Sequence, residues 1–514
     1  MMLLPAAGFA QGARMIRGYC TPHADDDGVA GARVGQQPRR LPAINRHWDA
    51  DKVYRQLVIL ISFSDLDFAL EKPREVYDSI FNEPGYNKRN GAGCVADYFR
   101  CQSGGLLNMK FDVFGPYKVS SKAQPYDSPT ESTHNYGASQ MVEATKTFIA
   151  ENPGTDFSLY DWNGDGAVNQ VVFVCAGFCG NQSSEKCYGY VWPNTSSFST
   201  ITTPDGKKIS NYTASCELWA NNSSCGIGTV CHEFTHSLGL PDIYPTNDNA
   251  GFSVVDEWDL MDGGNFTNYG WCPPNYSALE KMLMGWLAPV ELTEPAHIEG
   301  MKAVADGGDV YIVRNTTNEY YLLENRQQKD WDLGIPGSGL AVFHVNYNAA
   351  KWSGNTVNTS RNAYCYDMVH ADNMDYDAWY DMLVAENATT PYANKPRLNS
   401  RLLSTSPYPW KTDSTRTVNA ELTDTSVPAA VMLNANAEGH LLMSKPITNI
   451  TQNPDGTIAF DFMGGSNDGI STLAHAAGTM PRLFDMLGRA AGKGQAPRLL
   501  IVRLPDGTTR KVMK

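Results

Sequence analysis

Residues 231–244, which read CHEFTHSLGLPDIY, contain the side chains best suited to chemistry in this sequence. His232 and His236 are four residues apart, so on an α-helix both imidazoles project from one face and can bind a single zinc ion. Glu233 lies about 100° around the helix, close enough to take a proton from a water on that ion. Asp242, just beyond the helix, supplies a third ligand. Two histidines and one carboxylate leave a fourth tetrahedral position open, which is typical of catalytic zinc.

A second element strengthens this interpretation of the motif. Two histidines at this spacing also arise by chance, in which case they would lie on a solvated helix face. Here the motif extends to HExxHxxGxxD, and Gly239 can adopt the positive φ that ends a helix and turns the chain. Met261 follows in EWDLMDGGNF, within a Gly-terminated turn typical of metzincin peptidases, although core packing alone is its simpler role. Together the two elements favour a zinc hydrolase.

Several other residues near the motif are candidates for supporting roles. Asp256, Glu257 and Asp259 compete with Asp242 as the third zinc ligand, because a carboxylate oxygen binds zinc from any of these positions. Tyr269 and Tyr276 follow the methionine turn, where a phenol could stabilise an oxyanion. A packing role is the alternative for both tyrosines.

The segment from about residue 52 to 290 resembles the immune inhibitor A family of secreted zinc metallopeptidases. The resemblance rests on LVILISFSDLDF, GCVADYFRCQSGGLLNMKFDVFGPY, DFSLYDWNGDGAVNQVVFVCAG, GTVCHEFTHSLGLPDIY, WDLMDGG and YSALEKMLMGW, in that order. The resemblance implies a zinc peptidase with His232 and His236 as ligands and Glu233 as general base. Many metzincins have a histidine as third ligand, where this chain has Asp242.

The expected activity is hydrolysis of peptide bonds in proteins. A metal-activated water would attack the carbonyl carbon, and Glu233 would pass the proton to the departing amine. Two alternatives stay open: a surface binding or adhesion protein that uses the peptidase fold as a scaffold, and a zinc hydrolase of a non-peptide amide. The presence of Glu233 beside both histidines favours the peptidase, since a binding protein has no need of a water-activating carboxylate.

A possible calcium loop begins at Asp161 in DWNGDGAVN. Asp161, Asn163 and Asp165 place side-chain oxygens at alternate positions, and hard oxygen ligands suit calcium. The glutamate that would complete an EF-hand loop is replaced by Val172, so the match is partial. The alternative is a polar turn stabilised by its own Asx hydrogen bonds.

Cysteine usage agrees with export without specifying a disulfide framework. Ten of the eleven cysteines lie between Cys20 and Cys272, and their pairing cannot be deduced from spacing. A second zinc site at Cys175, Cys179 and Cys187 is disfavoured, because no CxxC element is present. Cys20 could cap the zinc as a thiolate, with a disulfide or free thiol as the simpler role.

Composition narrows the range of partners. The 514 residues carry a formal net charge of −14 and no basic run, which excludes a nucleic-acid-binding role. No apolar run approaches the roughly 18 to 20 residues that a membrane-spanning helix needs. Proteins or peptides are the substrates that the resemblance implies.

The chain is predicted to be α+β: a metzincin-like zinc peptidase domain, a β-rich, sandwich-like domain and a small C-terminal β domain. Apolar runs at 54–65 and 169–177 predict buried strands, and the periodicity of 138–151 predicts an amphipathic helix. The predicted divisions are a signal-peptide remnant (1–10), a pro-segment or linker (11–50), the peptidase (51–300), the β-rich domain (301–465), a linker (466–477) and the C-terminal domain (478–514).

The two ends of the chain indicate export. MMLLPAAGFA has the apolar stretch and small residues of a secretory signal, and a frayed apolar tail is the alternative. LFDMLGR and VRLPDGTTRKVMK resemble the C-terminal sorting domain of the type IX secretion system of Bacteroidetes, with an ordinary terminal β-hairpin as the alternative. This resemblance implies an outer-membrane secretion machinery as partner and a secreted or cell-surface location.

Overall fold

The structure is a computed structural model of the chain. It describes residues 41–46, 48–130, 132–182, 184–246, 254–360, 363–375, 403–412, 416–465, 482–484, 499–503 and 509–513. These residues form a mixed α/β fold of several sheets and few helices. None of the helices among them has the length and apolar character needed to cross a bilayer. The predicted leader 1–10, Cys20 and the linker 466–477 lie outside the described residues.

The first sheet has five strands, four of them parallel. Its strand order is β2-β1-β3-β5-β4, and only the edge strand β4 runs antiparallel to its neighbour. The strands are β1 Val53–Ser62, β2 Asn108–Lys118, β3 Val171–Phe178, β4 Asn194–Thr202 and β5 Lys208–Leu218. The two central strands β1 and β3 are the apolar runs that predict buried strands, because a parallel sheet is covered on both faces.

Helices cover both faces of this sheet. They are α1 Pro73–Asn82, α2 Val95–Gln102, α3 Ala138–Glu151 and α4 Gly228–Ser237. A fifth helix, α5 Ala278–Leu283, packs into the same core as α4. Alternate residues of β1 point to opposite faces, so Val58 packs in one core with Phe234 of α4, and Ile59 packs in the other with Phe148 of α3. The bounds of α3 confirm the amphipathic helix predicted at 138–151.

The chain then becomes β-rich. A second five-stranded sheet has the order β11-β10-β9-β8-β6, and a three-stranded sheet has the order β14-β15-β7. The elements are β6 Val290–Glu291, β7 Ala296–Met301, β8 Tyr311–Arg314, β9 Glu319–Arg326, β10 Gly339–Asn346, α6 Ala349–Ser353, β11 Tyr366–Val369, β12 Trp410–Lys411, β13 Thr417–Asn419, β14 Ile447–Gln452 and β15 Ile458–Phe462. Strands β12 and β13 pair as a two-stranded antiparallel sheet. Beyond them, β16 Arg482–Phe484, β17 Leu499–Arg503 and β18 Thr509–Met513 form a further antiparallel sheet.

The second five-stranded sheet shares a core with the first part of the chain. Val342 of β10 faces the three-stranded sheet, in a cluster with Ile298 and Phe460. Its neighbour Phe343 points the other way, into the core that also contains Phe234 of α4. The strand alternation of β10 therefore places one face of the second sheet against the helical layer that carries the histidines.

Candidate metal centre

Helix α4 places the two histidines of the motif one turn apart, as the sequence predicts. The helix is buried along its whole length between the first sheet and the segment after it. His232 and His236 have their ring centroids 5.0 Å apart and their ring planes nearly perpendicular. Gly239 then adopts φ +102°, which ends the helical direction and redirects the chain toward Asp242.

Asp242 meets both imidazoles. Its Oδ1 lies 3.1 Å from Nε2 of His232 and 3.2 Å from Nε2 of His236. Among the described residues, these three form the single group of histidine, cysteine or acidic side chains whose potential ligand atoms cluster within 4.8 Å. Tetrahedral zinc with bonds of about 2.0–2.1 Å separates its ligands by roughly 3.3 Å, so the two measured distances match this geometry.

The far nitrogens of both rings are held by backbone carbonyls. Nδ1 of His232 lies 2.8 Å from the carbonyl of Leu260, and Nδ1 of His236 lies 2.9 Å from that of Leu240. Donation from Nδ1 leaves the lone pair on Nε2, the atom that faces Asp242 in both rings. Both histidines are therefore oriented as neutral metal ligands by their own surroundings.

Charge within this buried group is balanced by protonation when no cation is present. Burial alone would lower the pKa of His232, but the hydrogen bond with Asp242 and the charges of Glu233 and Asp242 outweigh it and raise the pKa to about 9. Burial would raise the pKa of Asp242, yet the charge of His236 and the hydrogen bond from His232 hold it well below its usual range. A cation at this point would replace the proton.

The residues present fit a zinc ion. The donor set is two imidazole nitrogens and one carboxylate oxygen, all buried. Nε2 of His236 has no hydrogen-bond partner among the described residues, although it lies within 3.2 Å of Asp242 Oδ1. A buried nitrogen of this kind is costly to leave without a partner, and a metal bond would satisfy it.

Glu233 is fully buried and is contacted by the edge of the first sheet. The hydroxyl of Thr195 on β4 lies 3.1 Å from Oε2 of Glu233 and 2.5 Å from its backbone carbonyl. Thr213 on β5, paired with Thr195 across the two strands, lies 3.4 Å from the same carbonyl. The strand pair therefore orients the proposed general base, a role that no local motif around Thr195 indicates.

The turn around Met261 is tied to both ligand-bearing segments. The carbonyl of Leu260 accepts from His232, and the carbonyl of Met261 accepts from the backbone N–H of Ile243, next to Asp242. The Met261 side chain is fully buried in the core shared with α4. The assignment of Met261 to a metzincin-type methionine turn stays a prediction.

The competing carboxylates have other contacts. Asp259 accepts from the backbone N–H of Met261 at 2.8 Å, and its own backbone N–H donates to the carbonyl of Asp256. Neither of these two residues, nor Glu257, joins the group of three described above. Burial together with the charge of neighbouring Asp262 raises the pKa of Asp259 to about 6. Asp242 is therefore the carboxylate that the structure brings to the histidines.

The two predicted tyrosines have contacts typical of packing, and their role as oxyanion stabilisers stays a prediction. The hydroxyl of Tyr276 is hydrogen-bonded to Thr235, and its ring packs against Tyr98 in the core. Tyr269 is 44% exposed, and its ring lies beneath the guanidinium of Arg89. The ring of Tyr244 lies nearly parallel to the His232 ring at a centroid distance of 6.3 Å.

The predicted calcium loop contains an ion pair. Nζ of Lys207 lies 2.7 Å from Oδ2 of Asp161, and the backbone N–H groups of Asp165 and Gly166 also donate to the Asp161 carboxylate. Asn163 donates to the Asp165 carboxylate at 3.0 Å. These are the contacts of the alternative, a polar turn, and calcium binding here stays a prediction.

The cysteines that the sequence disfavours as a second zinc site are buried thiols. Sγ of Cys179 lies 3.2 Å from Sγ of Cys225, and both thiols are buried. Cys175 and Cys187 are buried as well, and the ten described cysteines carry free thiols. Burial raises the pKa of Cys187 to about 11, which disfavours the thiolate form that binds metals.

One segment of the chain matches a known peptidase family. Residues 46–284 match the family model described as the immune inhibitor A peptidase M6 catalytic domain. The predicted resemblance to immune inhibitor A is therefore confirmed for the catalytic segment, and it supports a peptide-bond hydrolase.

Particular relatives agree with this class. The chain is 24% identical to the pre-pro-metalloprotease PrtV of Vibrio cholerae over 274 residues, which cover 46% of this chain and 29% of the relative. It is 23% identical to immune inhibitor A of Bacillus thuringiensis subsp. alesti over 406 residues, which cover 68% of this chain and 56% of the relative. The chain thus spans less than two thirds of the length of the curated relatives that it matches.

Proposed function

We propose that this chain is a secreted or cell-surface zinc metalloendopeptidase of metzincin type. The observation that carries the proposal is the convergence of His232, His236 and Asp242 beside Glu233, inside a segment that matches a peptidase family model. The adhesion and non-peptide amide alternatives have no comparable observation in their favour. Export is supported by the apolar leader 1–10 and by the resemblance of residues 478–514 to a type IX sorting domain.

The catalytic roles divide among the residues of the site. When bound, zinc would supply a Lewis acid that polarises the substrate carbonyl and makes water more acidic. Glu233 takes the proton of the attacking water and returns it to the departing amine, because its carboxylate follows His232 on the same helix. Thr195 holds that carboxylate from the sheet side. The carbonyls of Leu260 and Leu240 keep each imidazole in the tautomer that can bind metal.

The test is hydrolysis of unfolded casein by the purified full chain, with and without a zinc chelator. Glu233→Gln should lower kcat/KM by at least about 100-fold, since general-base catalysis contributes about 100- to 10,000-fold. The variant should still contain zinc by elemental analysis, because Glu233 is not among the three ligands.

Glu217→Gln provides the matched control. Glu217 is also a fully buried glutamate, but it accepts from the backbone N–H groups of Leu70 and Gly177, away from the metal group. This variant should retain activity. Full activity in Glu233→Gln, or activity of the wild-type chain that survives complete removal of zinc, would refute the proposal.

A further inference from the structure

The third ligand of the metal group is held by a side chain far along the sequence. Nδ2 of Asn355 donates to Oδ2 of Asp242 at 2.8 Å, and Oδ1 of Asn355 accepts from the backbone N–H of Asp242 at 2.7 Å. Both residues are buried, Asn355 with 6% of its surface exposed. A single amide thus contacts the backbone and the side chain of the same aspartate.

Because of this contact, the two carboxylate oxygens of Asp242 have different partners. Oδ2 receives the Asn355 amide, while Oδ1 is the oxygen that lies 3.1 Å and 3.2 Å from the two imidazole Nε2 atoms. A carboxylate without this donor could rotate about its Cβ–Cγ bond and present either oxygen. A hydrogen bond to a charged acceptor is about twice as strong as a neutral one, so the amide selects one orientation.

The loop that contains Asn355 also makes hydrogen bonds with the chain around Asp242. The hydroxyl of Thr246 donates to the carbonyl of Asn355 at 2.7 Å. Three residues on, Asn358 donates to the carbonyl of Ile243 at 2.9 Å and to that of Tyr366 on β11 at 2.7 Å. The buried side chains of Asn355 and Asn358 therefore connect the segment after α4 to the second five-stranded sheet by hydrogen bonds.

The backbone of this loop suits an asparagine. Asn355 follows α6 directly after Gly354 and has φ +54°, a left-handed conformation that asparagine tolerates better than most residues. The loop joins β10 to β11, and it lies outside the residues 46–284 that match the peptidase family model.

We infer that Asn355 is a positioning residue of the metal centre, acting through Asp242 to present one carboxylate oxygen to zinc. The inference rests on the proposed function, since it takes zinc as the ion at this site. It means that the β-rich part of the chain completes the metal centre rather than merely following the peptidase.

The experiment measures the zinc Kd of the full-length, metal-depleted chain by competition with a fluorescent zinc chelator. Asn355→Gly removes the amide without straining the backbone, because glycine accepts φ +54°. We expect the zinc Kd to rise about 10- to 100-fold, the usual effect of removing a group that holds a metal ligand. Asn355→Asp, of nearly the same shape, should weaken zinc binding at least as much because it replaces the donor with an acceptor.

Two further variants separate positioning from general loss of structure. Asn325→Ala removes a buried amide on β9 that donates to the carbonyls of Met301 on β7 and of Gly456 between β14 and β15, and it should leave the zinc Kd unchanged. In the background of Asp242→Ala, the Asn355→Gly change should alter the zinc Kd by less than about threefold, because the residue through which it acts is absent.

The outcomes are distinct. A wild-type chain that binds no zinc would refute the proposed function itself. Zinc binding by the wild type with an unchanged Kd in both Asn355 variants would refute the positioning role alone. An equal rise in Kd with and without Asp242, or a rise in Asn325→Ala of the same size, would show that Asn355 acts only through stability.

Discussion

A buried histidine in the second five-stranded sheet should make the stability of this protein depend on pH. His344 on β10 lies between two carboxylates, with Nδ1 2.9 Å from Asp367 and Nε2 3.0 Å from Glu319. Its side chain is 9% exposed and that of Glu319 is fully buried. Glu319 also accepts from the backbone N–H groups of Leu433 and Asn434, so the cluster joins three strands and a later loop.

Whether stability rises or falls with pH follows from the pKa of each partner. Burial alone would lower the pKa of His344, but the charges of Asp367 and Glu319 and their hydrogen bonds raise it to about 9. Burial would raise the pKa of Glu319, but the hydrogen bonds from His344 and the loop lower it to about 2. The raised histidine pKa stabilises the fold fully below its unfolded value of about 6.5, and this contribution is lost as pH rises toward 9.

The size of this contribution to the free energy of unfolding can be calculated from the same pKa values. Each pKa unit corresponds to about 1.4 kcal/mol, so a rise from about 6.5 to about 9 corresponds to at most about 3.5 kcal/mol of stability. Both shifts report one interaction, and they are not added. Because the imidazole of the unfolded chain is already half deprotonated at pH 6.5, urea unfolding of the wild type and of His344→Asn should show a gap in the free energy of unfolding that is about 2.5 kcal/mol smaller at pH 9 than at pH 6.5.

Comparison with the variant removes the contribution of all other titrating groups, because they are common to both chains. Tryptophan fluorescence and circular dichroism both report the unfolding transition. A gap that stays constant from pH 6.5 to pH 9, or widens with rising pH, would refute the reasoning.

Three further predictions concern the catalytic segment. Thr195→Val keeps the shape of the side chain but removes the hydroxyl beside Glu233, so kcat/KM should fall about tenfold or more while the zinc Kd stays unchanged. An equal loss of kcat/KM and of zinc affinity would contradict the orienting role of Thr195. Gly239→Ala should lower the free energy of unfolding by about 1–3 kcal/mol, because φ is +102° at this residue and an added Cβ would lie 2.7 Å from the carbonyl oxygen of Pro42. A melting temperature equal to that of the wild type would contradict this prediction. Because Lys207 neutralises Asp161, EGTA should leave the melting temperature unchanged, whereas a fall that added calcium reverses would support the calcium ion predicted from the sequence.

Local patterns in the sequence determined the catalytic helix and several elements around it. Spacing of four residues puts His232 and His236 on one helical face whatever the rest of the chain does, and Gly239 permits the turn that follows. The apolar run that became β1 and the periodicity that became α3 are likewise properties of contiguous residues. These features follow from the backbone geometry of a helix or strand, so the sequence alone reveals them.

The tertiary structure decided which distant residues meet. Asp242 is held by Asn355, 113 residues later, and Glu233 by Thr195, 38 residues earlier, through contacts that no local period encodes. The order of strands in the first sheet, the hydrogen bond between Tyr276 and Thr235 and the ion pair of Asp161 with Lys207 are also products of packing. Each depends on two segments that come into contact only when the hydrophobic cores form, and such contacts leave no local pattern in the sequence.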